Sequence, residues 1–501
     1  MEELHELHEV AEEAFSQIPV YERLMNYMSH RTFQRFSEVS VKINSITNNN
    51  ASYRAKLHDY SIGNAAREGD LEVIKWIHLN EFSIDKGRDK ARYDFDSWEL
   101  PMDLPMNLAA INGYLDVVKW LNENRPYEKC HPETMIETAN KGHFEIVKWL
   151  HENRNLEMSP LLDRDFTRFS EKYIINSVAR YGHLDIIKWL HQNGYHHWTG
   201  KGLFEAAYNG HFEIVKWLHN LDITSPANRE ISKCRAIDGA ARSGNLEMVQ
   251  WLHQNRPNDE CSTNAMDWAS AQGHLEIVKW LYLNRTEGCT SNAIDDAALN
   301  GHLDIIIWFD KTYNDFEESN KFPSIYESKS KNKSKNKLKN KLKSQKINRC
   351  TWNAMDNAAT NGHLDTVKWL HFNRTEGCTT AAMELAAING HLEVVKWLHH
   401  NRSEGCTIHA MDWAARHGHL EIVKWLHENR SEGCTEEAIN NAVYHHHYDI
   451  VEWLCKNRTE LGCSENAIST AISRGALEIV QLLYKSRRNA LRKIPRQYNN
   501  F

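Results

Sequence analysis

Histidine, cysteine and tryptophan are the residues whose abundance in this chain invites chemistry: 29, 10 and 17 of them among 501 residues. Imidazoles titrate near neutrality and bind transition metals. Thiolates pair or hold zinc, and a ladder of indoles can stack nucleic-acid bases. Spacing argues against each. Nine histidines (His143, His183, His211, His274, His302, His363, His391, His419, His447) follow one recurring glycine or its substitute, and eight (His78, His151, His191, His219, His253, His371, His399, His427) follow Trp-Leu or Trp-Ile. Residues placed so regularly are expected to serve turn hydrogen bonds and helix C-terminal dipoles.

Nine cysteines share one repeat position: Cys234, Cys261, Cys289, Cys350, Cys378, Cys406, Cys434, Cys463 and, by position, Cys130. Neighbouring copies put their Cα atoms about 10 Å apart if helices pack normally, beyond the ~7 Å that a disulfide spans. No C-x-x-C pair occurs, so reduced structural thiols in an intracellular setting are expected, with no metal and no cofactor. Twelve tryptophans from Trp76 to Trp453 hold one register on the apolar side of a helix, which points to core packing. The run His445, His446, His447 stands apart, because it replaces the recurring Gly-His and forces His446 into a conformation glycine accepts more easily. A metal site there is the alternative to a weak joint. No nucleophile elbow, P-loop or dinucleotide-binding glycine pattern appears, so no catalytic residues are expected.

What positions these residues is a phrase repeated thirteen times, plainest in NGHLEVVKWLHHNRSEGCT from Asn389. Twelve glycines mark it: Gly69, Gly113, Gly142, Gly182, Gly210, Gly244, Gly273, Gly301, Gly362, Gly390, Gly418 and Gly475, with His446 in the remaining slot. Most intervals are 28 or 29 residues, and a fixed period of that size means a solenoid. Each period reads as two short helices. Ser or Thr after Cys (Ser262, Thr290, Thr351, Thr379, Thr407, Thr435, Ser464) caps the first, and the glycine stops it. The second, H-L-E-I-V-K-W-L-H, has an acid in its first turn and Lys three residues on. Helices this short are marginal alone, so stability must come from stacking.

The phrase A-A-x-x-G-H-L-E-I-V-K-W-L, as at Ala414 to Leu426, resembles the ankyrin repeat over roughly residues 57 to 486. The resemblance implies an all-α solenoid of about 13 stacked helix-turn-helix repeats. Two departures stand out. The family's Thr-Pro-Leu-His is replaced by N-A-M-D or H-A-M-D, as at Asn353 to Asp356 and His409 to Asp412. The period is also about five residues shorter than the family's 33, so short turns are expected in place of β-hairpin fingers.

The division expected is a helical N-terminal segment at 1–56, repeats at 57–318, a Lys/Asn/Ser-rich disordered insertion at 319–349, repeats at 350–486 and a basic tail at 487–501. Within the insertion, Lys329 to Lys346 holds nine lysines, a candidate nuclear-import signal or a tolerated low-complexity loop. Net charge is −7, from 60 basic and 67 acidic residues, so no global field draws the chain to nucleic acid. The acidic N-terminus and the lack of a long apolar run speak for a soluble chain in the cytoplasm, with the nucleus as alternative and no membrane partner. Ile18 to Ile43 resembles a shortened F-box, which would imply a Skp1-type adaptor and a substrate-receptor role in a ubiquitin ligase. A cap hiding the first repeat's apolar face is the other reading.

The resemblance implies binding of other proteins, partner unknown, through the concave face. Positions repeated everywhere serve packing, so a partner is read by those that vary. The two residues before each register glycine are the candidates: Arg180 and Tyr181, Tyr208 and Asn209, Ala271 and Gln272, Ile388 and Asn389, Arg416 and His417.

Overall fold

A computed structural model describes residues 61–84, 104–126, 130–131, 133–153, 174–224, 234–321, 350–458 and 465–493. The F-box-like stretch, the segment 1–56, the lysine run and the end of the basic tail lie outside them. The described residues contain helices and no strands, as thirteen consecutive pairs of a first and a second helix from Ile62–Glu68 and Leu71–Ile84 to Glu465–Ser473 and Leu477–Lys493. The stacked helical repeats expected from the period are therefore present. Two ends run beyond the sequence-based boundaries: one helix continues to Lys321 and the last to Lys493. Among the described residues no helix is long and apolar enough to cross a membrane. The chain divides into an N-terminal unit (1–206 with 213–228) and a C-terminal unit (207–212 with 229–501), taken separately below.

The regular repeats of the C-terminal unit show why these residues fold so. Thr379 caps the Thr380–Ile388 helix by accepting from Ala381 N, and Thr351, Thr407 and Thr435 accept from the N–H two residues on in the same way. Gly390, at φ +86°, closes that helix, and His391 N donates back to Ala386 O at 2.9 Å. In the following helix, Leu392–Asn401, Glu393 and Lys396 pair across the surface at 2.7 Å, while Val394, Val395 and Leu398 are buried. Such exposed pairs contribute little. The stability lies in the buried stripe and in Ala386 and Ala387, whose small side chains let successive first helices approach closely.

Three ties recur between neighbouring repeats. The first is a carboxylate: Asp356 accepts from Thr379 N at 2.9 Å and from its hydroxyl at 2.6 Å. Asp238 to Ser262, Asp267 to Thr290, Asp295 to Thr351 and Asp412 to Thr435 repeat the bond. Burial pushes these five carboxyls above their ordinary pKa despite the bonds they accept.

The second tie is an imidazole over a glycine. His363 Nε2 donates to Leu299 O at 3.1 Å, and its ring covers Gly301 so closely that a Cβ there would lie 2.6 Å away. The register glycine is thus required twice over, for its left-handed backbone and for the ring above it. In the third, Arg374, Arg402 and Arg430 each fold onto the Glu two residues on, and Arg402 lies against Gly377 of the preceding repeat.

The tryptophans differ from expectation. Trp397 and its counterparts are half-buried, and the fully buried residues beside them are Val, Ile and Leu. The indole spans the seam between repeats, edge-on to the preceding histidine: His371 with Trp397 and His399 with Trp425 at 5.1 Å between ring centres. The histidine after Trp-Leu therefore serves the seam as well as its helix end. The reason is geometric: Trp lies at the flank of the buried stripe, where the next pair covers only one edge.

Candidate interaction surface

The ends of the first helices are where the repeated positions give out and individual side chains begin. In the N-terminal unit, Glu133–Asn140, Ile174–Tyr181 and Gly200–Tyr208 form a groove of about 460 Å³. Its walls mix charges: Glu133, Glu137 and Glu205 face Arg180 and Lys201. Arg180 Nε lies 3.9 Å from Glu205 and its guanidinium 6.0 Å from the exposed Tyr181 ring. Asn176 holds the groove's edge by accepting from Thr199 N at 3.0 Å and donating to Thr199 Oγ1 at 2.9 Å.

In the C-terminal unit the candidates separate. Arg242 stacks 4.0 Å over the Tyr208 ring, with Asn209 exposed beside it. Ala271 and Ile388 are half-buried, whereas Gln272 and Asn389 are exposed. Asn389 Nδ2 donates to Thr360 O at 3.0 Å, and Asn300 and Asn361 bind the preceding repeat alike. At these positions asparagine is a further inter-repeat tie, which a comparison of repeat letters does not reveal.

Arg416 and His417 belong to a larger cluster. The Arg416 guanidinium sits 5.2 Å over the Trp413 ring and Arg474 sits 5.0 Å over Tyr444. His445 lies between them, held below its ordinary pKa by partial burial and then by Arg416, His447, His417 and Arg474. Trp413 and Tyr444 are 40% and 57% exposed. The sequence reading missed Trp413, Tyr444 and Arg474, and took His445 only as part of a weak joint or a metal site. The signal was there: Trp413 precedes Arg416 by three residues and so shares its helix face.

The metal alternative at His445 to His447 finds three imidazoles going to different neighbours. His445 meets Tyr444 edge-on, His446 Nδ1 meets Tyr448 Oη at 2.9 Å, and His447 covers Gly418. Among the described residues His446 is the non-glycine residue with positive φ, at 67°, as its place in the register implies. Burial raises the thiols of Cys350, Cys378 and Cys406 to about 11, and Cys234 to about 12, so they stay protonated and unreactive near neutrality.

The family model for ankyrin repeats (three copies) matches residues 135–227, 174–257, 203–295, 237–314, 355–437 and 411–494, together well over half of the chain. No curated protein matches it.

Proposed function

Because this chain belongs to the ankyrin-repeat family, whose repeats are in general protein–protein interaction modules, we propose that it is a non-catalytic scaffold that reads a partner protein through the exposed ends of its first helices. The observation that carries the reading is a division of labour within each repeat. Letters that recur, such as Ala414, Ala415, Val423 and Leu426, are buried, while the residues just before each glycine vary and reach solvent. Repeated burial explains invariance by packing alone, which leaves Arg180, Tyr181, Tyr208, Asn209, Gln272, Arg416 and His417 as the residues available to select a partner. Ala271, Ile388 and Asn389 contribute shape at the same edge. By family resemblance this edge faces the concave side.

The test combines Arg180→Glu, Tyr181→Ala, Arg416→Glu and His417→Ala in one chain. Capture of protein partners from the native cell should be lost with the thermal melt unchanged. Unaltered capture would sink the proposed surface.

A further inference from the structure

Resting on that reading and narrowing it, we propose that the first-helix ends around Arg416, Tyr444 and Arg474 take an acidic peptide segment, with carboxylates on the two guanidiniums and on the imidazoles between them.

The arginines of the turns are already satisfied: Arg374 has Glu376, Arg402 has Glu404 and Arg430 has Glu432. Arg416 and Arg474 differ, because among the described residues neither forms an ion pair with a carboxylate. Each instead lies against an exposed aromatic ring, which holds the guanidinium in place by cation–π attraction, and Arg474 Nη1 also meets His446 Nε2, so each fork is fixed by neighbours that are not acids. That pre-set fork suits a bidentate carboxylate.

The surface is local. Between Arg242, which lies over Tyr208 in the same way, and Arg416, these positions hold Ala271 and Gln272, Leu299 and Asn300, Thr360 and Asn361, Ile388 and Asn389, none of them charged. From Arg416 onward come His417, His445, His446 and Arg474. After burial, the largest electrostatic influences on His445 are Arg416, His447, His417 and Arg474, all cations or imidazoles. An arriving carboxylate relieves that crowding and favours the imidazolium.

Arg416 and Arg474 are two repeats apart, about 16–20 Å if helices pack 8–10 Å apart. An extended chain covers that in about five or six residues, so acids at that spacing fit, with further acids meeting the histidines between. Nucleic acid fits less well. Two permanent cations on a chain of net charge −7 neutralise few phosphates.

The test is fluorescence anisotropy on the full chain with three labelled probes: a Glu-rich peptide of about twelve residues, a Lys-rich peptide of equal length and an oligothymidylate. The Glu-rich peptide should bind best. Arg416→Glu with Arg474→Glu should weaken it at least about tenfold, while Lys424→Gln on a second helix leaves it alone, with melting curves checking the fold. Affinity should rise several-fold from pH about 7.5 to about 6.3 as imidazoles charge. His417→Gln with His445→Gln should remove that rise and keep most of the binding at the higher pH. Peptide should also raise the His445 pKa measured by NMR.

No binding of the Glu-rich peptide, equal binding of the Lys-rich peptide, tighter binding of oligothymidylate, or indifference to the double reversal would each overturn the proposal. Loss of cellular partners in the four-residue variant above, alongside a failed peptide test, would reject the acidic partner and keep the protein-binding reading.

Discussion

Two consecutive joints of the C-terminal unit, Gly418 with His447 and His446 with Ala476, do the same task with different parts. At the first, a Cβ added to Gly418 would lie 2.8 Å from the His447 ring. At the second, both halves are changed together: the glycine is His446 and the histidine that would cover it is Ala476. A side chain at 446 is tolerated because no imidazole sits above it. Gly210 makes the same point in reverse. Its covering position holds Asn245, and an added Cβ would meet only Ser243 Cβ at 3.8 Å. Glycine and histidine are thus one device split across a repeat boundary. Where it is absent, His446 stands in the glycine's slot and meets Arg474 on the surface.

The comparison can be broken most forcefully at the intact joint. Gly418→Ala combines left-handed strain at φ +84° with the ring clash and should cost about 2–4 kcal/mol in urea unfolding. Adding His447→Ala should recover about half, because the strain remains. No recovery would show that the two positions are independent.

Trp397→Ala should cost about 2–3 kcal/mol, less than a fully buried tryptophan, since the indole is half-exposed and loses mainly its His371 contact and one covered face. A cost above that range would return the residue to the core.

Asp412→Ala leaves the partly buried N–H of Thr435 without its carboxylate and should cost about 1–3 kcal/mol. Asp412→Asn should stay within about 0.5 kcal/mol of the parent, because Asn176 already makes the equivalent pair of bonds to Thr199. The sign with pH follows from burial. A carboxyl whose folded pKa is raised adds stability at pH below its unfolded value and loses it as pH rises through the folded value. The parent should therefore gain on the Asn variant on acidification through the carboxylate range, and a gap that widens the other way would contradict the burial argument.

The degenerate joint should yield a gain. His446→Gly relieves left-handed strain and should raise stability by about 1 kcal/mol, read as a higher melting temperature.

Much of this was legible from letters. The register glycines, the hydroxyl caps, the acid–Lys pairs and the paired helices all rest on local rules within one repeat, and the structure holds them where the spacing put them. What was not legible lies across repeat boundaries. That Asp356 meets Thr379, or that His363 covers Gly301, depends on how one pair sits on the next, which no local period encodes. The tryptophans show the same limit: L-E-V-V-K-W-L states that Trp397 flanks an apolar stripe but not how far the next repeat covers it. At the candidate surface, the letters before glycine located Arg416 and His417. They could not separate Asn389, which ties repeats, from side chains turned to solvent.

The most direct measurement is photo-crosslinking in native cells, with a photoreactive phenylalanine placed at Tyr444 on a first-helix end or at Lys424 on the second helix of the preceding repeat. Partner adducts from Tyr444 and none from Lys424 are expected. Equal adducts from both, or adducts from Lys424 alone, would contradict a binding surface built on the first helices.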